Sequence, residues 1–225
     1  MTIRVLLADD QALLRATFRL LIDSTADMTV VGEAETGREA IAQARHQLPD
    51  IVVMDIRMPE VDGIEATRSI TADESLASVR VLILTTFETE ELVVDALRAG
   101  ASGFLGKGVE PETLLDGIRT VIAGESLLSP RATRAVVARL VSQPSAGQAN
   151  HAARLDRLTP RERQILTLVG LGLSNDQIAA KLVISPVTAK THVNRTMTKL
   201  YARDRAQLVI TAYETGLVTP GQHPA

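Results

Sequence analysis

Two hydrophobic patterns alternate over the first 123 residues, and this alternation limits the folds open to the chain. Stretches at helical spacing, such as Leu14, Phe18 and Leu21, separate short apolar runs. Strands that alternate with helices form a parallel sheet covered on both faces, because each crossover packs its helix against the sheet. We therefore predict an α/β domain with a doubly wound, five-stranded parallel sheet. The predicted strands are 5–8, 29–32, 51–54, 81–84 and 103–105.

The rest of the chain is organised differently. Residues 142–154, SQPSAGQANHAAR, are small and polar without periodicity, which is typical of a linker. The preceding SPRATRAVVARLV predicts one extra helix, with Ser129 as its cap and Pro130 in its first turn. The predicted division is 1–124 for the α/β domain, 125–154 for the extra helix and linker, 155–217 for a helical domain and 218–225 for a tail.

Charge separates these domains. The 225 residues carry a net charge of -3, but residues 1–128 carry -11 and residues 156–225 carry +4. This asymmetry indicates different partners for the two ends of the chain, and it weakly favours nucleic acid for the basic end. Cysteine is absent, which excludes disulfides and thiolate metal sites. The N-terminus does not resemble a signal peptide and no apolar run approaches a membrane span, so we expect a cytoplasmic protein without a membrane partner.

Reactive side chains follow four of the five predicted strands: Asp9 and Asp10, Asp55, Thr85, and Lys107. Ligands of open α/β sheets bind beyond the carboxyl ends of the strands. Carboxylates that converge there need a cation or raised pKa values, and an all-oxygen ligand set suits Mg²⁺. The pattern predicts phosphoryl transfer to Asp55 as nucleophile, with the metal and Lys107 balancing the developing charge. Taken alone, Asp10 is equally well explained as a helix cap.

The motifs LLADD, VVMDIRMPEVDG, ILTTF and GFLGK resemble the receiver domain of two-component response regulators, over residues 3 to about 123. The resemblance implies a flavodoxin-like fold and phosphorylation of Asp55 by a sensor histidine kinase, with Mg²⁺ as cofactor. It implies that the metal ligands are Asp9, Asp10, Asp55 and the backbone carbonyl of Arg57. It implies that the switch and phosphoryl-binding residues are Thr85, Phe104 and Lys107. Gly108 departs from the Pro or Asp that many receivers carry there.

Three capped helices are predicted after the linker. Thr159, with Glu162 three residues on, predicts a capping box, while Ser174 and Ser185 cap the next two helices. The third helix places small and apolar residues on one face and polar and basic residues on the other, a pattern typical of a helix-turn-helix. Such an outer face suits a DNA major groove. A helical interaction domain with a solvated third helix remains the alternative from spacing alone.

The motifs LTPRE, GLSNDQIAAKL and SPVTAKTHVNRTMTKL resemble the LuxR-type, four-helix DNA-binding domain, over roughly 155–217. The whole chain thus resembles NarL/FixJ-type response regulators, which implies a transcription factor that binds double-stranded DNA as a homodimer, with RNA polymerase as a further candidate partner. We expect phosphorylation of Asp55 to draw Thr85 and Phe104 inward and to promote dimerisation and DNA binding. The expected DNA contacts are Lys181, Lys190, Thr191, Asn194, Arg195 and Lys199.

Two other classes of function stay open. One is a metal-dependent phosphohydrolase with an aspartyl-phosphate intermediate, although such enzymes usually carry Asp-x-Asp rather than the adjacent Asp9 and Asp10. The other is a DNA-binding protein whose receiver is only a scaffold, which the retention of every reactive residue at the strand ends argues against. We expect no enzyme activity beyond the receiver's own phosphotransfer and slow dephosphorylation, with Arg57 and Phe87 shielding the site from water.

Overall fold

The computed structural model describes residues 2–86, 89–124, 127–128 and 155–218. The chain divides into two compact units, residues 1–129 and residues 130–225. Phe87, the predicted extra helix that begins at Ser129, the linker and most of the predicted tail lie outside the described residues. Within the described ranges, no helix combines the length and the apolar character needed to cross a bilayer.

A parallel sheet forms the centre of the first unit, as predicted. Its strands pair in the order β2-β1-β3-β4-β5-β6, and every pairing is parallel. The five predicted strands are β1 (Ile3–Ala8), β2 (Met28–Ala34), β3 (Ile51–Met54), β4 (Arg80–Thr85) and β5 (Gly103–Gly106). The order places β1 and β3 side by side at the centre, so their carboxyl ends meet at one edge of the sheet.

Helices cover both faces of the sheet. On one face, Val5, Leu7 and Val53 pack in a single core with Ile22 and Ile118 from two of the helices. Strand positions that point to the other face are buried as well, because a second set of helices covers them. The helices are α1 (Ala12–Asp23), α2 (Gly37–Gln47), α3 (Gly63–Ala72), α4 (Glu90–Arg98) and α5 (Pro111–Ile122), with a short 3-10 turn at Glu74–Leu76.

The first unit extends further than the predicted boundary at residue 124. A short sixth strand, β6 (Leu127–Leu128), pairs with β5 through Gly103 and Phe104. These two residues fall within the predicted extra helix and linker, because a two-residue strand is too short to leave a periodic signal. Leu127 and Leu128 therefore belong to the sheet.

Four helices form the second unit: α6 (Pro160–Gly170), α7 (Asn175–Leu182), α8 (Pro186–Leu200) and α9 (Arg205–Glu214). The predicted caps are present. Capping boxes join Thr159 to Glu162 and Ser174 to Gln177, and the Ser185 hydroxyl accepts a hydrogen bond from the Thr188 backbone N–H. These contacts satisfy backbone N–H groups that have no partner within the helix, which fixes where each helix starts.

The core of the second unit consists of aliphatic side chains from all four helices. Val218, which the sequence analysis placed at the start of the tail, is fully buried in this core against Gly170, and its backbone N–H donates to the Ala212 carbonyl. Val218 therefore belongs to the core of the helical unit, and the other residues of the predicted tail lie outside the described residues.

Candidate functional site

The central strands bring Asp9 and Asp55 together. β1 pairs with β3 so that Ala8 is opposite Met54, and the Asp55 backbone N–H donates to the Ala8 carbonyl over 2.8 Å. Asp9 and Asp55 thus follow paired residues at the carboxyl ends of neighbouring strands. Together with Asp10 they form a carboxylate cluster, in which one oxygen from each side chain lies within 4.8 Å of the others. Asp9 and Asp55 are buried, whereas Asp10 is exposed and opens the cluster to solvent.

Lys107 joins the two buried carboxylates. Its ammonium donates to Asp9 Oδ2 over 2.8 Å and to Asp55 Oδ2 over 2.9 Å, and its side chain is only 4% exposed. Burial alone lowers the pKa of Lys107, but the hydrogen bonds and charges of Asp9 and Asp55 outweigh it, so the pKa rises above its ordinary value. The lysine is therefore fully protonated at neutral pH and neutralises part of the charge of the cluster.

The carboxylate cluster fits a divalent cation. Three carboxylates and one ammonium leave a net formal charge of -2 in a largely buried pocket. Uncompensated charge of this kind is costly, and a small oxygen-seeking ion relieves it. Arg57, whose carbonyl is expected to be a further ligand, lies two residues after Asp55 with an exposed side chain. Its role as a ligand stays a prediction.

The backbone around Asp55 is held from two sides. Asp55 Oδ1 accepts a hydrogen bond from the Ile56 backbone N–H over 2.8 Å. Gly63, the first residue of α3, packs so closely that a Cβ there would lie 1.9 Å from the Asp55 carbonyl oxygen. Only glycine fits at this position, which explains the Asp-Gly pair in VVMDIRMPEVDG. The turn after β3 therefore fixes the orientation of the Asp55 carboxylate.

Thr85 and Phe104 lie on the neighbouring strands. Thr85 ends β4, is fully buried, and accepts a hydrogen bond at its carbonyl oxygen from the Lys107 backbone N–H over 2.8 Å. Phe104 lies opposite Ile83 in β5 and is 2% exposed. The ring is thus already inside the core. The described geometry places both residues on strands that lead to the cluster, and their switch roles stay predictions.

Arg15 is a contributor that sequence reasoning missed. Its guanidinium, almost fully buried, donates to the Asp9 carbonyl over 2.6 Å and also pairs with Glu33 and Glu35 at the end of β2. The Asp9 carboxylate in turn accepts from the Gln11 backbone N–H, and Gln11 rather than Asp10 precedes α1 as its N-cap residue. The alternative role of Asp10 as a helix cap is therefore wrong. The only signal in the sequence was a charged residue between the apolar positions Leu14 and Phe18 of the predicted helix.

The second unit presents the predicted basic face on α8. The inward positions Ala189, Val193, Thr196 and Leu200 are buried. The Thr196 hydroxyl donates to the His192 carbonyl over 2.8 Å, which allows this polar residue to lie in the core. The outward residues Lys190, Thr191, Asn194 and Arg195 are all exposed, and so is Lys181 on α7. A helix with this division of faces can lie in a major groove.

Lys199 differs from the other predicted DNA contacts. Its ammonium lies 2.7 Å from Glu162 Oε2, and this carboxylate is 6% exposed and also accepts from the Thr159 backbone N–H. Burial raises the pKa of Glu162, but the hydrogen bonds from Lys199 and Thr159 outweigh it and hold the pKa below its ordinary 4.5. Lys199 thus connects α8 to the N-terminus of α6 by an ion pair, while 39% of its side chain stays exposed.

Residues 5–119 match the family described as response regulator receiver domain, and residues 156–212 match the bacterial regulatory proteins of the luxR family. The chain is a response regulator. It is 43% identical to "Uncharacterized transcriptional regulatory protein YxjL" of Bacillus subtilis (strain 168) over 218 residues, which cover 96% of this chain and 97% of that protein. It is 36% identical to the response regulator protein VraR of Staphylococcus aureus (strain COL), covering 97% of this chain and 100% of VraR.

The response regulator is also similar to a solved structure of comparable length. The crystal structure of the response regulator ChrA of a heme-sensing two-component system covers 96% of this chain and 99% of its own, with 36% identity and a TM-score of 0.51. A receiver joined to a LuxR-type DNA-binding domain identifies a transcription factor whose partners are a sensor kinase and DNA. Phosphorylation and dimerisation are typical of this family, and the predicted fold class is confirmed.

Proposed function

We propose that Asp55 is the phosphoryl acceptor of this response regulator. The observation that carries the proposal is the convergence of Asp9, Asp10 and Asp55 around a single buried ammonium, that of Lys107. A structural ion pair needs only one carboxylate for each cation. This pocket holds three carboxylates and one ammonium at the carboxyl ends of the strands, so negative charge is in excess. Such an excess is expected where a cation and a transferred group bind.

The proposed reaction transfers a phosphoryl group from a phosphohistidine of the sensor kinase. An Asp55 carboxylate oxygen attacks phosphorus, the new O–P bond forms, and the N–P bond breaks with its electrons on the imidazole. The Ile56 N–H holds Oδ1, which leaves Oδ2, now paired with Lys107, as the oxygen that faces the incoming group. Lys107 then remains beside the phosphorylated oxygen as its counter-charge.

Mg²⁺ fits this site as the cofactor. Asp9, Asp10, Asp55 and the Arg57 carbonyl are the proposed ligands, and the ion would neutralise charge on the phosphoryl oxygens. Arg15 holds the Asp9 backbone in place, so it acts as a positioning residue for this acidic pair. The hydroxyl of Thr85 and the ring of Phe104 are the proposed switch that reports phosphorylation to the surface of β4 and β5.

For the DNA-binding half, we propose that phosphorylation promotes a homodimer that binds two half-sites of double-stranded DNA. Lys190, Thr191 and Asn194 face the base edges, and Arg195 and Lys181 contact phosphates. Lys199, whose side chain is 39% exposed, stays a proposed phosphate contact although its ammonium also pairs with Glu162. Its loss should therefore weaken the fold of the unit as well as DNA binding. RNA polymerase remains a candidate partner.

Intact mass after incubation with a small-molecule phosphodonor tests the acceptor. With Mg²⁺, the wild-type chain should gain one phosphoryl group, and Asp55→Asn should gain none. Asp116→Asn, at an exposed carboxylate on α5, is the control and should be phosphorylated normally. Continuous release of phosphate without a stable adduct would favour the phosphohydrolase alternative, and a wild-type chain that stays unmodified would favour the scaffold alternative.

Dimerisation and DNA binding provide the second test. Light scattering and DNA-binding titrations with genomic fragments should show a rise in dimer and in affinity after phosphodonor treatment of the wild type. Asp55→Asn should show neither rise. An Asp55→Asn variant that dimerised and bound DNA as the treated wild type does would contradict the proposed regulation.

A further inference from the structure

Val187 is an apolar side chain left in solvent on the DNA-facing side of α8. It lies in the first turn of the helix, after Pro186, and is 76% exposed. Lys190, Thr191 and Asn194 follow at three, four and seven residues, so they occupy the same face. The inward face of the same helix is complete without it, because Ala189 and Val193 already fill the core. No described contact of the folded unit explains a valine at this position.

Hydrogen bonds within the helix make this part of the surface more apolar than the sequence suggests. The Thr191 hydroxyl donates to the Val187 carbonyl over 2.9 Å, so its single proton is already used. The Thr188 and Ser185 hydroxyls hydrogen-bond to each other over 2.8 Å at the start of the helix, which uses one of their two protons. Between the charge of Lys190 and the amide of Asn194, Thr191 therefore presents a methyl group and a hydroxyl that has no proton left to donate.

We infer that Val187 is a specificity-determining residue that contacts the C5-methyl group of a thymine in the major groove. Thymine is the only base that places a methyl group in that groove, and an apolar side chain distinguishes it there without a hydrogen bond. The polar and basic residues around Val187 favour DNA as the occupant of this face over a second protein, because Lys190 and Arg195 would lose their solvent at an apolar protein interface. The inference rests on the proposed DNA binding, and it names thymine as the base that the first turn of α8 recognises.

The contact predicts a feature of the half-site. An A·T pair should lie under the first turn of α8, with its thymine towards Val187. A neighbouring base pair should be read by Asn194, whose amide pairs best with adenine. Half-sites with cytosine in place of that thymine should bind more weakly, because the methyl group is lost and the hydrogen-bonding edge changes as well.

Replacing thymine with deoxyuridine isolates the methyl group. The phosphodonor-treated full-length chain first selects duplexes from genomic fragments, and each half-site thymine is then replaced singly by deoxyuridine. At one position, Kd should rise about fourfold for the wild type, since one methyl group is worth roughly this factor in transfer. Val187→Ala should bind the thymine duplex about as weakly as wild type binds the deoxyuridine duplex, and should not distinguish the two.

Two further variants make the test independent of folding. Val187→Thr keeps one methyl group and should retain part of the discrimination. Val183→Ala changes another exposed valine, in the turn before α8, and should keep the full fourfold effect. The inference is overturned if no thymine in the half-site shows the effect, or if Val187→Ala lowers affinity equally for both duplexes or not at all. A treated wild-type chain that selects no duplex would instead refute the proposed DNA binding.

Discussion

Replacing Lys107 with methionine is the sharpest test of the charge balance in the receiver. Methionine matches the lysine side chain as far as Cε, with sulfur in place of the Cδ methylene, and lacks the ammonium. Asp9 and Asp55, whose side chains are 7% and 4% exposed, then lose their shared partner while they stay buried. The net formal charge of the carboxylate cluster changes from -2 to -3. The cost is therefore that of unpaired buried charge, with little change in packing.

Without metal, Lys107→Met should lose a large part of its free energy of unfolding. Removing one partner of a buried ion pair costs about 3–5 kcal/mol of the free energy of unfolding. For a unit of this size, such a loss lowers Tm by on the order of 10 °C. Mg²⁺ should reverse much of this loss, because an ion at one hundred times its Kd adds about 2.7 kcal/mol. The more negative cluster should also bind Mg²⁺ more tightly in Lys107→Met than in the wild type.

Thermal unfolding followed by circular dichroism, with and without Mg²⁺, measures both effects. Lys199→Met is the matched control, because Lys199 pairs over 2.7 Å with a carboxylate that is equally buried but lies outside the cluster. It should lose stability, and Mg²⁺ should not restore it. The reasoning is refuted if Lys107→Met melts like the wild type without metal, or if Mg²⁺ restores both variants equally.

Three further predictions concern the backbone and the DNA-binding unit. Gly63→Ala forces a Cβ against the Asp55 carbonyl and should abolish phosphorylation measured by intact mass, whereas Gly108→Ala, where a Cβ meets nothing within 4 Å, should be phosphorylated normally. Tyr201→Gly should raise Tm of the DNA-binding unit, because Tyr201 holds a left-handed φ of 55° and relief of that strain exceeds the entropy cost of glycine by about 0.5–1 kcal/mol; a lower Tm would contradict this reasoning. The folded-state pKa of Glu162 lies below its ordinary 4.5, so its contribution is complete above about pH 4.5 and is lost as pH falls through the folded pKa. The free energy of unfolding, measured with urea as pH falls below about 4.5, should show the loss of this Glu162 contribution in the wild type and not in Glu162→Gln.

The site could be predicted from the residues that follow the strands. The alternating patterns located the strands, and four of them are followed by a carboxylate, a hydroxyl or an ammonium side chain. Parallel strands bring their carboxyl ends to one edge of the sheet, so these side chains are expected to meet there. Asp9, Asp55 and Lys107 therefore meet where the pattern required. The caps Thr159, Ser174 and Ser185 were predictable for a similar reason, because a capping hydrogen bond spans only three residues.

Long side chains were less predictable. Arg15 reaches Glu33 and the Asp9 carbonyl, and Lys199 reaches Glu162, 37 residues away. Each of these two side chains is long and flexible enough to reach several carboxylates. Only the folded backbone decides which carboxylate lies close enough to pair with it. The charge of Lys199 predicts a DNA contact, whereas its ion pair with Glu162 is not visible in the sequence.

The amino-acid sequence alone thus determined three features of the protein: which residues follow each strand, which face of α8 is buried, and where the first three helices of the second unit start. These are properties of local periodicity and short-range hydrogen bonds. The tertiary structure alone decided that β6 continues the sheet beyond β5, that Arg15 holds the Asp9 backbone and that Lys199 pairs with Glu162. These depend on the distance between atoms far apart in the chain, which periodicity does not encode.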